Sequence, residues 1–274
     1  MWEEMWYYLQ SWFQYPDVEW NTALIGIGLA LGYTAFWLSG HWPPLFRKHW
    51  LWAVAVFSAF FTVLAIIFIQ LPLQIWIEDA FGNDWYPGNS WWLLMTVPYL
   101  VIRGLVQEGA KMVPMVFWWW RSGKVITARM TMAIGAMAGA GFGIFEAARS
   151  NLQTLGYGWT WQNYQTSGFT AIAGFWDAFF TVGVNVAISA LIGYGLARSR
   201  GWQFYLIGVG FHLVYNYRRV LLQGGNLTVF QTEIYAAAFA LILTAVVLLW
   251  FHRKSGAIEP GKSMVEDGPV MPDV

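Results

Sequence analysis

Charged residues are scarce in this sequence. Only 11% of the 274 residues are Asp, Glu, Lys or Arg, whereas 58% are hydrophobic. Soluble proteins contain about 25% charged residues, and a water-exposed surface cannot be covered with so few. The shortage therefore indicates that lipid, rather than water, surrounds most of the chain.

Cysteine, a net charge and a basic N-terminus are also missing. The absence of cysteine excludes disulfides and thiolate chemistry. The 15 basic and 15 acidic residues balance, so nothing indicates the basic face of a nucleic-acid-binding protein, and we predict no nucleic-acid partner. The first residues, Met1-Trp2-Glu3-Glu4, are acidic where a secretory signal peptide is basic, and we predict no cleaved signal.

Hydrophobic stretches are long enough for about seven membrane crossings, since a spanning helix needs about 20 mostly apolar residues. Twenty tryptophans support this interpretation, because Trp collects at membrane–water interfaces. We therefore predict an all-α, polytopic transmembrane helix bundle. The third span contains Pro98 and is expected to be kinked, tilted or divided. The predicted spans are Thr22–Gly40, Trp50–Leu73, Trp91–Trp120, Thr127–Leu152, Phe169–Ala197, Gly201–Leu222 and Thr232–Phe251.

The two ends of the chain differ from the spans. Between Met1 and Tyr15, apolar residues recur at three- and four-residue steps, which predicts an amphipathic helix lying in the interface. Packing of that face on the bundle is the alternative. We divide the chain into an N-terminal interfacial helix (residues 1–20), a transmembrane helical domain (21–252) and a disordered cytoplasmic tail (253–274) rich in Gly, Pro and charge.

Polar side chains interrupt four of the predicted spans, where they are costly and usually functional. Depths can be counted along ideal helices from the basic residues of the nearest loops. Glu108 and Asn185 then lie about 20 Å deep, His212 about 18 Å and Glu146 about 26 Å. Similar depths on four helices predict one shared, buried site.

Spacing within the spans supports this convergence. Glu108 and Lys111 are three residues apart, and His212 and Asn216 are four apart, so each pair occupies one helical face. Simple mutual neutralisation is the alternative explanation of Glu108 and Lys111. Arg103 is predicted to extend toward the membrane surface or to pair with an acid near the outer face.

A stripe of small residues marks a helix contact in the fourth span. Gly135, Gly139 and Gly143 recur at four-residue steps and allow a neighbouring helix to approach closely. Glu146 lies one turn further on and is predicted to point toward that neighbour. Asn185, on the fifth span, is predicted to form a hydrogen bond between helices rather than to act in catalysis.

Three short motifs follow one another on successive polar spans. They are Gln107-Glu108-Gly109-Ala110-Lys111, Gly141-Phe142-Gly143-Ile144-Phe145-Glu146 and His212-Leu213-Val214-Tyr215-Asn216. In this order they resemble the PrsW-like and YhfC-like intramembrane proteases, in the superfamily of type II CAAX prenyl endopeptidases and bacteriocin-immunity proteins. That family has a Glu-Glu pair followed by a basic residue, then Phe-x-x-x-Glu or Phe-x-x-x-His, then a late His with Asn or Asp. The resemblance covers roughly residues 95–220.

The resemblance implies an intramembrane endopeptidase that hydrolyses a peptide bond of a membrane-associated protein with a glutamate-activated water. Its partners would be the lipid bilayer and a membrane-protein or membrane-peptide substrate. Glu108 would take a proton from water, His212 and Asn216 would orient the water or stabilise the oxyanion, and Glu146 would hold His212 or move the proton. The implied catalytic residues are Gln107, Glu108, Lys111, Glu146, His212, Asn216 and Asn185.

Two positions depart from the family pattern. Gln107 replaces the first Glu of the pair, and Asn185 stands where many members have His. Because Gln is no general base, and because we expect position 107 to be the more critical one, the activity is expected to be weak or absent. A Zn²⁺ ion held by Glu108, Glu146 and His212 is the alternative to a metal-free site. Proton-coupled transport or channel activity, or a non-catalytic scaffold on the same fold, are the alternative functions.

The distribution of basic residues predicts an orientation for the chain. Cytoplasmic loops carry an excess of Lys and Arg. Here the basic residues concentrate between spans one and two, three and four, five and six, and after span seven. The opposite side has Arg149, Arg218 and Arg219 and an acidic loop. We predict an integral protein of a prokaryotic cell (inner) membrane, with its N-terminus outside and its C-terminus in the cytoplasm.

Reporter fusions test this orientation. A reporter attached after Val274 should be active if it functions in the cytoplasm, and inactive if it requires export, because the basic loops hold that end inside. The same reporters placed before Met1 should behave in the opposite way. An exported reporter that is active at the C-terminus would contradict the predicted orientation.

Overall fold

The computed structural model confirms the all-α class. Nearly all of the described residues are helical, and no strand occurs among them. The predicted interfacial helix and C-terminal tail fall outside the described residues, apart from Trp6 and the residues that border the bundle. The structure describes Trp6 and residues 19–41, 44–81, 91–122, 127–156 and 159–253.

Seven long helical stretches, one of them composed of two helices, form the described part of the bundle. A π-helical segment, Ile66–Gln70, joins the helix His49–Ala65 to the helix Leu71–Phe81 without a break. Short 3₁₀ turns, Leu45–Arg47 and Gly168–Ala171, precede the helices that begin at His49 and Ala173. The helices are α1 (Trp20–Ser39), α2 (His49–Ala65), α3 (Leu71–Phe81), α4 (Trp92–Arg121), α5 (Ala128–Gly156), α6 (Trp161–Ser167), α7 (Ala173–Ala197), α8 (Gly201–Gln223) and α9 (Val229–Arg253).

Five of these stretches are long and apolar enough to cross a membrane, which makes the chain an integral membrane protein. They are α1, α2 continued through α3, α5, α7 and α9. The other two, α4 and α8, coincide with the third and sixth predicted spans and contain 30 and 23 residues. Their length suffices for a crossing, but their polar side chains lower their mean hydropathy.

Three details differ from the predicted spans. The third span is not divided, which was one of the three forms expected for it, but is one uninterrupted helix, although Pro98 and Pro114 lie inside it. The second extends beyond Leu73 to Phe81, because the π-helical segment continues the helix. The fifth begins at Ala173 rather than Phe169, because Gly168 adopts a positive φ of 57° and starts a separate 3₁₀ turn.

Helices α5 and α7 form the centre of the bundle. In their most apolar stretches, 78% of the residues of α5 and 89% of those of α7 are buried, against 28% for α1. A Cβ atom on Gly135 or Gly139 would collide with the backbone of α7, and one on Gly141 with the backbone of α2. The predicted stripe of small residues is therefore confirmed as the contact that lets the two central helices touch.

Glycine substitutions test this contact. Gly139→Ala should lower the free energy of unfolding by about 1–3 kcal/mol, because the new methyl group forces α5 away from α7. Gly28→Ala is the matched control, since a Cβ at Gly28 meets no atom within 4 Å. Unfolding in detergent can be followed by the fluorescence of the tryptophans. Equal midpoints for the two variants would contradict the close packing.

Candidate functional site

Glu108 occupies the centre of a buried polar network between α4, α7 and α8. Its side chain is 0% exposed. Atom Oε1 accepts a hydrogen bond from Lys111 Nζ at 2.6 Å and lies 2.7 Å from His212 Nδ1. Atom Oε2 has no hydrogen-bond partner in the described part of the chain. The predicted convergence of Glu108 and His212, which lie on different helices, is confirmed.

Asn185 connects this carboxylate to a second one. Its Oδ1 accepts a hydrogen bond from Lys111 Nζ at 2.7 Å. Its Nδ2 donates to Glu146 Oε2 at 2.9 Å and to the carbonyl oxygen of Thr181 at 3.0 Å. The prediction that Asn185 links helices by hydrogen bonds is confirmed, and both of its amide hydrogens are engaged in these contacts.

Glu146 points toward α7, as the glycine stripe predicted, but its partners differ from those that the resemblance implied. Arg103 Nη2 donates to Glu146 Oε1 at 3.0 Å, and Asn185 contacts the other oxygen. No hydrogen bond between Glu146 and His212 occurs among the described contacts. Of the two roles expected for Glu146, holding His212 is therefore wrong, because Arg103 and Asn185 are the partners of this carboxylate. Its role in moving the proton stays a prediction. For Arg103 itself, the predicted pairing with an acid is confirmed.

Gln107 points in a different direction from Glu108 and belongs to a separate cluster of amides. Its Nε2 donates to Gln70 Oε1 at 2.9 Å, and Gln70 Nε2 donates to Gln74 Oε1 at 3.0 Å. Adjacent helical residues point about 100° apart, so only one of positions 107 and 108 can face His212. The expectation that position 107 is the more critical one is not supported. Glu108, and not Gln107, faces His212, whereas Gln107 contacts the π-helical segment.

A small cavity adjoins the network between α5, α7 and α8. It has room for about one water molecule. Its wall includes four of the predicted site residues, Glu146, Asn185, His212 and Asn216, together with Arg219. His212 Nε2 is buried and has no hydrogen-bond partner in the described residues. Asn216 shares the helical face of His212, as predicted, and its Nδ2 donates to the carbonyl oxygen of that residue at 2.9 Å.

An ion cluster that the sequence analysis missed borders the same cavity. The Asp177 carboxylate accepts hydrogen bonds from Arg218 and from Arg219, the latter at 2.6 Å. Arg218 is fully buried and stacks on the ring of Tyr215, 3.9 Å from its centroid. Asp177 is an ionisable residue within a predicted span, which is the signal that would have identified it. For Arg218 and Arg219, the sequence predicts only a position toward the outer side of the membrane.

The suggested zinc ligands do not form a metal site. Within the described ranges, no three His, Cys, Asp or Glu side chains lie close enough together to hold a metal ion. Lys111 contacts Glu108 and Arg103 contacts Glu146, so a protein cation already lies beside each carboxylate. A set of Glu108, Glu146 and His212 therefore does not fit Zn²⁺ as arranged here.

Comparison with known proteins gives no further assignment. No family model, no curated protein and no solved structure matches this chain. The functional interpretation therefore depends on the geometry of the site and on the motifs that it contains.

A double-mutant cycle tests the coupling at the centre of the site. Lys111→Met should lower the free energy of unfolding by about 3–5 kcal/mol, because it leaves the Glu108 carboxylate buried with its main cation removed. Adding Glu108→Leu to that variant should recover much of the loss, because no lone charge remains. Thermal unfolding in detergent provides the measurement, and strictly additive losses would contradict a direct pairing of the two side chains.

Proposed function

We propose that the protein is an intramembrane endopeptidase that hydrolyses a peptide bond of a membrane-associated protein. The observation that carries this proposal is the 2.7 Å contact between Glu108 and His212, buried inside a membrane bundle beside a cavity for about one water molecule. The order of the three polar motifs gives it independent support. A carboxylate–histidine pair next to a water-sized space has the components needed to activate water.

His212 is the proposed general base. The Glu108 carboxylate at Nδ1 favours the tautomer with its proton on Nδ1, which leaves Nε2 free to accept a proton. His212 lines the cavity, whereas Glu108 does not. This assignment differs from the sequence-based one, in which Glu108 itself takes the proton. Glu108 instead positions the imidazole and stabilises its charged form, and Lys111 holds Glu108 in place.

The proposed reaction moves one proton through His212. Nε2 takes a proton from water while the water oxygen bonds to the scissile carbonyl carbon, which forms a tetrahedral oxyanion. The carbon–nitrogen bond then breaks, the imidazolium returns its proton to the leaving amine, and the other product is a carboxylic acid. The reaction consumes only water and the peptide.

Asn216 is the proposed amide donor to the oxyanion. Both amide hydrogens of Asn185 are bonded to Glu146 and Thr181, so Asn185 has none left to donate. Asn216 donates one hydrogen to the carbonyl oxygen of His212 and is one of the residues that line the cavity. Its second amide hydrogen is therefore available to the developing negative charge.

Amide variants test the catalytic pair. Glu108→Gln should lower the cleavage rate by about 10²–10⁴-fold, because an amide does not support the required tautomer or the imidazolium. His212→Gln should cause a similar loss. The assay measures fragments of single-span membrane proteins, screened as a library in detergent micelles.

Glu233→Gln provides a matched control for this assay. Glu233 is also a buried glutamate on a membrane helix, but it does not line the cavity. This variant should cleave at the unmodified rate. Cleavage that persists in Glu108→Gln, or that fails equally in all three variants, would contradict the proposed roles.

Proton transfer is the second candidate function. A continuous series of side-chain contacts leads from Arg103 through Glu146, Asn185 and Lys111 to Glu108, and such series serve proton relays in membranes. Reconstituted vesicles containing a pH-sensitive dye distinguish the two candidates. A proton flux that disappears in Glu108→Gln, together with an absence of proteolysis, would favour the relay.

A further inference from the structure

The cavity beside His212 opens at one end of the bundle. Among the side chains of its wall, Arg219 is 41% exposed and Glu146 is 20% exposed, whereas the rest are largely buried. Asp177 lies near the first residue of α7 and Arg219 near the last residue of α8. The mouth of the cavity therefore lies at Arg219, at the end of the bundle opposite Arg200.

Positive charge predominates at this mouth. Two carboxylates lie at or beside it: that of Glu146 is paired with Arg103, and that of Asp177 is shared between Arg218 and Arg219. Three arginines thus accompany two carboxylates, which leaves one positive charge in excess. Arg218 uses its other contacts on Tyr215 inside the protein. Glu233 is a nearby buried acid, but it does not line the cavity.

Arg219 also has N–H donors that none of its described hydrogen bonds uses. A guanidinium group has five N–H donors, and the described contacts of Arg219 use one of them, on Asp177. This exposed guanidinium therefore combines a positive charge with a planar set of donors, the combination that recognises carboxylates.

The inner end of the cavity supplies an independent indication of a ligand. His212 is only 4% exposed, it lines the cavity, and its Nε2 has no partner in the described residues. A buried ring nitrogen of this kind normally has a hydrogen-bond partner. The wall of the cavity thus combines a partly exposed cation, Arg219, with a buried residue, His212, that has an unpartnered ring nitrogen.

We propose that Arg219 is a carboxylate-binding subsite at the mouth of this cavity, and that the ligand of the site carries a carboxylate group. Identifying this ligand with a peptide substrate rests on the proposed peptidase function. In that case Arg219 selects peptides that present a C-terminal or side-chain carboxylate close to the scissile bond. The subsite itself does not depend on catalysis.

The absence of cysteine allows a direct test of the charge at the mouth. Gln223 is exposed and lies one helical turn beyond Arg219 on α8, so Gln223→Cys introduces a single thiol beside the mouth. Its reaction rates are measured with a sulfonate-bearing and a trimethylammonium-bearing methanethiosulfonate in detergent. Gln203→Cys is the background control, because Gln203 is also an exposed glutamine on α8 but lies near its other end, about 24 Å along the helix from Arg219.

The anionic reagent should react faster than the cationic one at Gln223→Cys, and the ratio at Gln203→Cys should not respond to changes at Arg219. Adding Arg219→Gln should lower the ratio of anionic to cationic rates by roughly three- to tenfold, as expected for one charge at several ångströms in a partly aqueous site. Adding Arg219→Lys should preserve the ratio, and Asp177→Asn should raise it. Acetate should slow the labelling when Arg219 is present, and methylammonium should not.

Two outcomes would overturn the subsite. One is an unchanged ratio in folded Arg219→Gln protein. If that variant does not fold, an unchanged or lowered ratio in Asp177→Asn contradicts the proposal instead.

Protection by acetate shows binding of a free carboxylate. The unmodified protein should cleave peptides with a free C-terminus in preference to amidated ones, and Arg219→Gln should lose this preference. That result identifies the peptide substrate as the source of the bound carboxylate. If the labelling ratios are as expected but no proteolysis is detected, the results support the subsite and contradict the peptidase function.

Discussion

The fully buried carboxylate of Glu108 imposes the central constraint on this structure. A charge in a low-dielectric interior is costly unless partners surround it, and Glu108 obtains them from its own helix and from α8. Lys111 is then also buried and needs an acceptor, which Asn185 supplies from α7. Asn185 in turn contacts Glu146 on α5. One buried charge therefore fixes the relative placement of four helices, because each partner needs another.

The network depends on the contact between α5 and α7. Gly139 lies against the backbone of Asn185, so Glu146, two turns further along α5, comes within reach of the Asn185 side chain. In a membrane, close packing of small residues replaces the hydrophobic driving force that holds soluble helices together. The same glycines thus serve the assembly of the bundle and the geometry of the site, and a wider spacing would separate the two carboxylates from their shared amide.

Neighbouring residues of one motif serve different clusters. Gln107 and Glu108 are adjacent in sequence, yet Gln107 contacts Gln70 of the π-helical segment while Glu108 contacts His212. π-Helical segments are rare and occur frequently at functional sites, and here the segment directs Gln70 toward α4. A short motif therefore does not by itself define a catalytic pair. The azimuth of each side chain around its helix decides which cluster it joins.

The sequence by itself determined that the chain is a membrane-embedded helix bundle, approximately where each helix lies and which polar residues share a depth. These properties are local, since hydropathy and helical rise act along a single segment. Only the tertiary structure decided that Glu108 rather than Gln107 faces His212, that Glu146 pairs with Arg103, and that Asp177 joins the site. Such pairings depend on the rotation of each helix and on which neighbour it packs against. Contacts between distant segments set those choices, and no single segment of the sequence contains them.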